Sequence, residues 1–138
     1  MAKKKVFVSY DHSEDLKYKN ILRAWDANDN FEFEFDQRSP NEAINSVNAG
    51  PIKAALTKKM MEADYFLAII GEKSSKSKWM EWEIERAKQD DTYLKLAAVK
   101  IDNTYTTPAG LLRVGTAFAK AFTQIGILNA LDNADNDY

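Results

Sequence analysis

A doubly wound α/β fold, with a parallel sheet covered by helices on both faces, is what this sequence predicts. Apolar strand-like runs alternate with amphipathic helical stretches along most of the chain. Two of those runs, Val6-Phe7-Val8-Ser9-Tyr10 and Tyr65-Phe66-Leu67-Ala68-Ile69-Ile70, have the composition of strands buried on both faces. A length of 138 residues, 45% of them hydrophobic and 29% charged, suits one domain with its own core. We assign residues 1–131 to that domain and 132–138 to a short, frayed acidic tail.

The first strand is 6–10. Residues 11–15 supply capping and acidic first-turn positions for a helix whose Tyr18, Ile21, Leu22 and Trp25 repeat at i, i+3, i+4, i+7. Asn28-Asp29-Asn30 ends it. Phe31, Phe33 and Phe35 then alternate with Glu32, Glu34 and Asp36, the pattern of a half-buried strand at a sheet edge. Residues 37–50 show no usable period and form a long loop, a kind that tends to be functional. Pro51 opens the next helix at a first helical position, with Ile52, Leu56, Met60 and Met61 inward. Residues 64–70 are the central strand, stopped by Gly71. A polar loop leads to a helix over 78–89 and a fourth strand over 94–101. Residues 116–119 form a short fifth strand, and Thr123 caps a last helix with Ile125, Ile127, Leu128 and Leu131 inward.

Five strands interleaved with helices point to a flavodoxin-like order, 2-1-3-4-5. In such sheets the ligand crevice lies at the carboxyl ends of the strands, where the order switches between the first and third. That rule selects residues 9–12 and 71–77.

Composition excludes several chemistries. Without cysteine there is no disulfide or thiol catalysis, and a single histidine makes zinc improbable, so no metal is expected. Neither a dinucleotide glycine fingerprint nor a P-loop is present. A phosphate-accepting receiver needs an aspartate ending the third strand; that strand ends Ile69-Ile70-Gly71, and its aspartate, Asp64, stands at the other end. No serine sits on a nucleophile elbow, and His12 reads as a loop or capping residue. The net charge of −2 and one basic run, Lys3-Lys4-Lys5, give no nucleic-acid footprint. With no signal-peptide core and no membrane-spanning apolar run, the expectation is a soluble, cytoplasmic protein.

The informative stretch is 74–87, containing Ser77-Lys78-Trp79-Met80-Glu81-Trp82-Glu83-Ile84. On a helix Trp79 and Glu83 share a face, offset by about 40°. Met80, Ile84 and Ala87 form the neighbouring stripe that buries against the sheet. Glu83 is thereby placed at the margin between core and solvent, with Glu81 and Glu85 solvated. Spacing alone favours a Trp79 that covers the core edge and a Glu83 that caps or pairs with a surface cation.

Val6-Phe7-Val8-Ser9-Tyr10 resembles the opening strand of TIR domains, which ends in Ser-Tyr. The segment Ser77-Lys78-Trp79 through Glu83 resembles their helix motif, a serine and tryptophan followed four residues later by glutamate. Phe33-Glu34-Phe35-Asp36, the loop, Pro51-Ile52, Pro108-Ala109-Gly110-Leu111-Leu112 and Phe122-Thr123-Gln124-Ile125 resemble the bacterial TIR-like group that includes Thoeris anti-phage defence proteins. The resemblance implies cleavage of the nicotinamide–ribose bond of NAD, with Glu83 as the catalytic residue and NAD as substrate rather than resident cofactor. It also implies a cyclic ADP-ribose-type signal read by a separate effector protein, and self-association through the 36–50 loop. Expected substrate contacts are Ser9, Tyr10, Asp11, Asp36, Ser39, Gly71, Ser77 and Trp79. Two other readings stay open: a non-catalytic TIR-type module that assembles homotypically, and a sensor that binds ADP-ribose-like ligands without turnover.

Overall fold

The computed structural model describes residues 4–10, 31–35, 49–102, 104–112, 114–120 and 122–135. Their backbone forms an α/β fold on a parallel sheet. The strands are β1 (Lys4–Ser9), β2 (Phe31–Phe35), β3 (Tyr65–Ile70), β4 (Lys95–Lys100) and β5 (Ala117–Ala119), arranged β2-β1-β3-β4-β5. The helices are α1 (Ala49–Met61), α2 (Lys78–Ala87) and α3 (Gln124–Asn133). The helix expected around Tyr18 to Trp25 lies outside the described residues, as do residues 37–48 of the loop expected over 37–50, whose last two residues belong to α1. No helix among the described residues is long and apolar enough to cross a membrane.

β1 sits between two parallel neighbours, with Val6 opposite both Phe33 and Tyr65 and Ser9 opposite Ala68. Successive side chains of a strand point to opposite faces, and two core layers result. Phe7, Phe66, Ala68, Ile70, Leu96 and Ala98 face α1 and α2; Val6, Val8, Leu67, Ile69, Ala97 and Val99 face α3. Continuous apolar runs are therefore required in β1, β3 and β4, because both faces are dry. Ser9 is the one buried polar side chain of β1, and it follows Phe7 on the face toward α2.

Four expectations need correction. α1 begins at Ala49, so Pro51 is its third residue; its missing N–H costs nothing there, because first-turn N–H groups have no intrahelical acceptor. Met61 is 57% exposed, one helical step of about 100° beyond the fully buried Met60. Ile125 is 73% exposed for a similar reason, since the buried arc of α3 is centred on Ile127, Ala130 and Leu131. The acidic segment from Asp132 is also tied down at its start. α3 runs on to Asn133, and the Leu96 N–H donates to the Asp135 carbonyl at 2.9 Å.

Beyond β4 the chain returns to α2 through a 3₁₀ turn, Ala109–Leu111. Lys88 Nζ donates to the Gly110 carbonyl at 3.0 Å and pairs with Glu85 at 2.7 Å. The approach is close enough to require glycine. A Cβ on Gly110 would stand 2.6 Å from Glu85 Oε2 and 2.8 Å from Ile84 Cγ2. Glu85 can swing aside, but Ile84 is buried and β-branched, with one favoured helical rotamer. Gly110→Ala is expected to lower stability by about 1–3 kcal/mol through overpacking. The check is a fall in the urea midpoint at unchanged slope; an unchanged midpoint would show that the turn moves freely off α2.

Candidate functional site

The candidate site is where the carboxyl end of β1 meets α2. The turn after β3 places the helix. Gly71 N–H donates to Ser74 Oγ at 2.8 Å, and the Ser74 hydroxyl donates to the Ile69 carbonyl at 3.3 Å. Ser74, 1% exposed, thus organises the turn from inside. It was not singled out in the sequence, although a serine three residues after a strand-ending glycine is a turn-forming signal. Ser77 then caps α2, its Oγ accepting the Met80 N–H at 3.2 Å. Glu81 in the first turn complements the positive end of the helix dipole.

Glu83 projects from the second turn of α2 and is fully buried. Its Oε1 accepts a hydrogen bond of 2.8 Å from the hydroxyl of Ser9, which is also fully buried. Glu83 is therefore in the core rather than at its margin. The reason lies in Trp79, which is only 6% exposed. Taking Trp79 as the origin, 100° steps put Glu83 at about 40°, Ala87 at about 80°, Met80 at about 100° and Ile84 at about 140°. Trp79 extends the buried arc past Glu83 and encloses it. A second aromatic supports Trp79 from outside: Trp82 meets it edge to face, with centroids 6.1 Å apart, and Lys53 of α1 lies 5.7 Å over the Trp82 ring. Trp82 and Lys53 are further residues that the sequence reading did not pick out.

The structure brings Ser9, Trp79 and Glu83 into one neighbourhood of the core. Tyr10 is not part of it. Its side chain belongs to the layer toward α3, on the opposite face of the sheet, as alternation along β1 demands. Gly71 and Ser77 stand at the crevice end but use their polar groups in the turn and the helix cap. Asp11, Asp36 and Ser39 lie outside the described residues.

Two other features mark this end of the sheet. Just past β4, Asp102 accepts both the hydroxyl and the N–H of Thr104, at 2.7 and 2.8 Å, which hold its carboxyl below the usual carboxylate range. A cavity of about 300 Å³ opens on the far side of α2 from Glu83, between Ser74, Ser77, Glu81, Glu85 and Gly110. Glu83 does not line it. Among the described residues no group of acidic or histidine side chains is placed to hold a metal ion.

The family model of the TIR-like domain of the Thoeris protein ThsB matches residues 7–106. The chain belongs to that family. No curated protein matches it at a significant level. The matched span of this TIR-like domain runs from β1 past β4, so it includes Ser9, Trp79 and Glu83 and stops short of β5 and α3.

The cap of α2 sets the height of Glu83 in the site. Ser77→Ala should lower stability by about 1 kcal/mol, while Ser77→Asp, which also caps, should largely preserve it. Urea titration of both variants checks this. Equal losses in the two would show that the cap is not what holds this turn.

Proposed function

We propose that this TIR-like domain cleaves the nicotinamide–ribose bond of NAD, with Glu83 as the catalytic carboxylate. The observation that carries the proposal is a glutamate buried in the core at the carboxyl end of β1, where the buried Ser9 hydroxyl donates to it. Burying a carboxylate is costly, and an apolar residue there would pack at no such cost. Such placements recur where a charge has chemical work to do. The location supports the reading as well. In a flavodoxin-like order, β1 and β3 flank the switch point where ligands bind.

The chemistry is coherent with one carboxylate. As the C1′–N bond breaks, nicotinamide leaves as a neutral molecule with the bonding electrons, and positive charge develops on the ribose as in sugar hydrolysis. Glu83 stabilises that charge electrostatically. Water attacking C1′ yields ADP-ribose; a nucleophile on the adenosine side yields a cyclic isomer. We assign the cyclic ADP-ribose-type product, made in the cytoplasm as an anti-phage signal for a separate effector protein. Because Glu83 is fully buried, turnover requires the crevice to open. We assign that opening to self-association through the 36–50 loop.

The same burial favours a second reading, a non-catalytic homotypic interaction module in which the bond between Ser9 and Glu83 fastens α2 to β1. Nicotinamide release and nucleotide products from NAD separate the two. The purified chain should release nicotinamide, and Glu83→Gln, which keeps the side chain's volume and its acceptor oxygen, should reduce the rate by about 100-fold or more. A concentrated wild-type chain with no turnover would favour the interaction module. Turnover that survives Glu83→Gln would place the chemistry elsewhere.

A further inference from the structure

We infer that Ser9 is a positioning residue for Glu83 rather than a contact for substrate. The inference rests on the NAD-cleaving reading above and assigns Ser9 a part in it: the hydroxyl sets the orientation in which the carboxylate meets the charge developing on the ribose.

Four observations lead there. Ser9 is the last residue of β1 and is as fully buried as Glu83. That hydroxyl donates to Glu83 Oε1 at 2.8 Å, across 74 residues of sequence. A glutamate on a helix has its first torsion restricted by the preceding turn, but its terminal torsion is broad and needs an outside partner to define it. β1, paired on both sides over Val6 to Val8, supplies that partner from its carboxyl end, where Ser9 stands opposite Ala68 of β3. The direction is fixed by the pleat. Ser9 follows Phe7 on the face that packs against α2, and Phe7 shares its core layer with Met80 and Ile84. Phe7 fills that dry layer with apolar atoms, as Val6 and Val8 fill the other, so a hydroxyl here serves a polar partner or leaves a buried group unsatisfied.

A positioning role and a substrate contact differ in what they do to kcat and KM. Loss of the hydrogen bond misdirects the carboxylate and slows the chemical step, leaving ground-state binding of NAD intact. A hydrogen bond to a charged group corresponds to about a 10- to 100-fold effect on rate.

The test is steady-state nicotinamide release by wild type, Ser9→Ala and Ser9→Cys, normalised to folded protein by circular dichroism. It is paired with NAD titration of Glu83→Gln with and without Ser9→Ala. Ser9→Cys nearly preserves shape but donates weakly, and it keeps the test informative if the alanine variant folds poorly. We expect kcat to fall about 10- to 100-fold in Ser9→Ala and less in Ser9→Cys, with KM within about twofold of wild type. Adding Ser9→Ala to Glu83→Gln should leave the Kd for NAD unchanged. A raised KM with unchanged kcat, or a weakened Kd in the double variant, would make Ser9 a substrate contact and overturn the inference. So would full-speed turnover in Ser9→Ala when Glu83→Gln is dead, and that pattern leaves the enzyme reading standing. A wild-type chain that releases no nicotinamide overturns both.

Discussion

A carboxylate buried where a strand ends and a helix passes over it is the constraint on which the site depends. Glu83 and Ser9 are both fully buried and joined by a 2.8 Å hydrogen bond. A hydrogen bond in dry surroundings is strong, and it is equally costly to leave incomplete. The placement of α2 therefore cannot drift without exposing or orphaning polar atoms. Ser74 inside the β3–α2 turn, the Ser77 cap and the close approach of Gly110 to Ile84 all hold that helix against the sheet.

The sheet supplies the other half of the arrangement. Because β1 lies between β2 and β3, its side chains alternate between two dry layers. Ser9 falls in the layer of α1 and α2, and Tyr10 in that of α3. One step along the strand thus separates a residue that meets Glu83 from one that does not. The aromatic pair Trp79 and Trp82, with Lys53 over the outer ring, covers the neighbourhood from the solvent side of α2.

Much of this was legible in the sequence, because strong periodicity reports burial directly. The apolar runs at 65–70 and 95–100 and the stripe Met80, Ile84 and Ala87 are where periodicity places them. Helix edges were less legible. Met61 and Ile125 are apolar yet exposed, since one residue along a helix rotates a side chain by about 100° and composition alone does not fix the arc. The depth of Glu83 was missed for a related reason. Its burial follows from Trp79 packing as core, which only the tertiary contacts of α2 decide. Gly71 and Ser77 were read as ligand contacts, and their polar groups also serve the turn and the cap. Small polar residues at strand and helix ends carry both meanings in sequence.

The measurement that tests the central claim most directly is amide hydrogen exchange of the Glu83→Gln chain with and without saturating NAD, which reads binding apart from turnover. The account predicts slowed exchange confined to the end of β1 at Ser9 and Tyr10, the turn around Gly71 to Ser77, and the first half of α2. Protection confined to β5 and α3, or none anywhere, would contradict it.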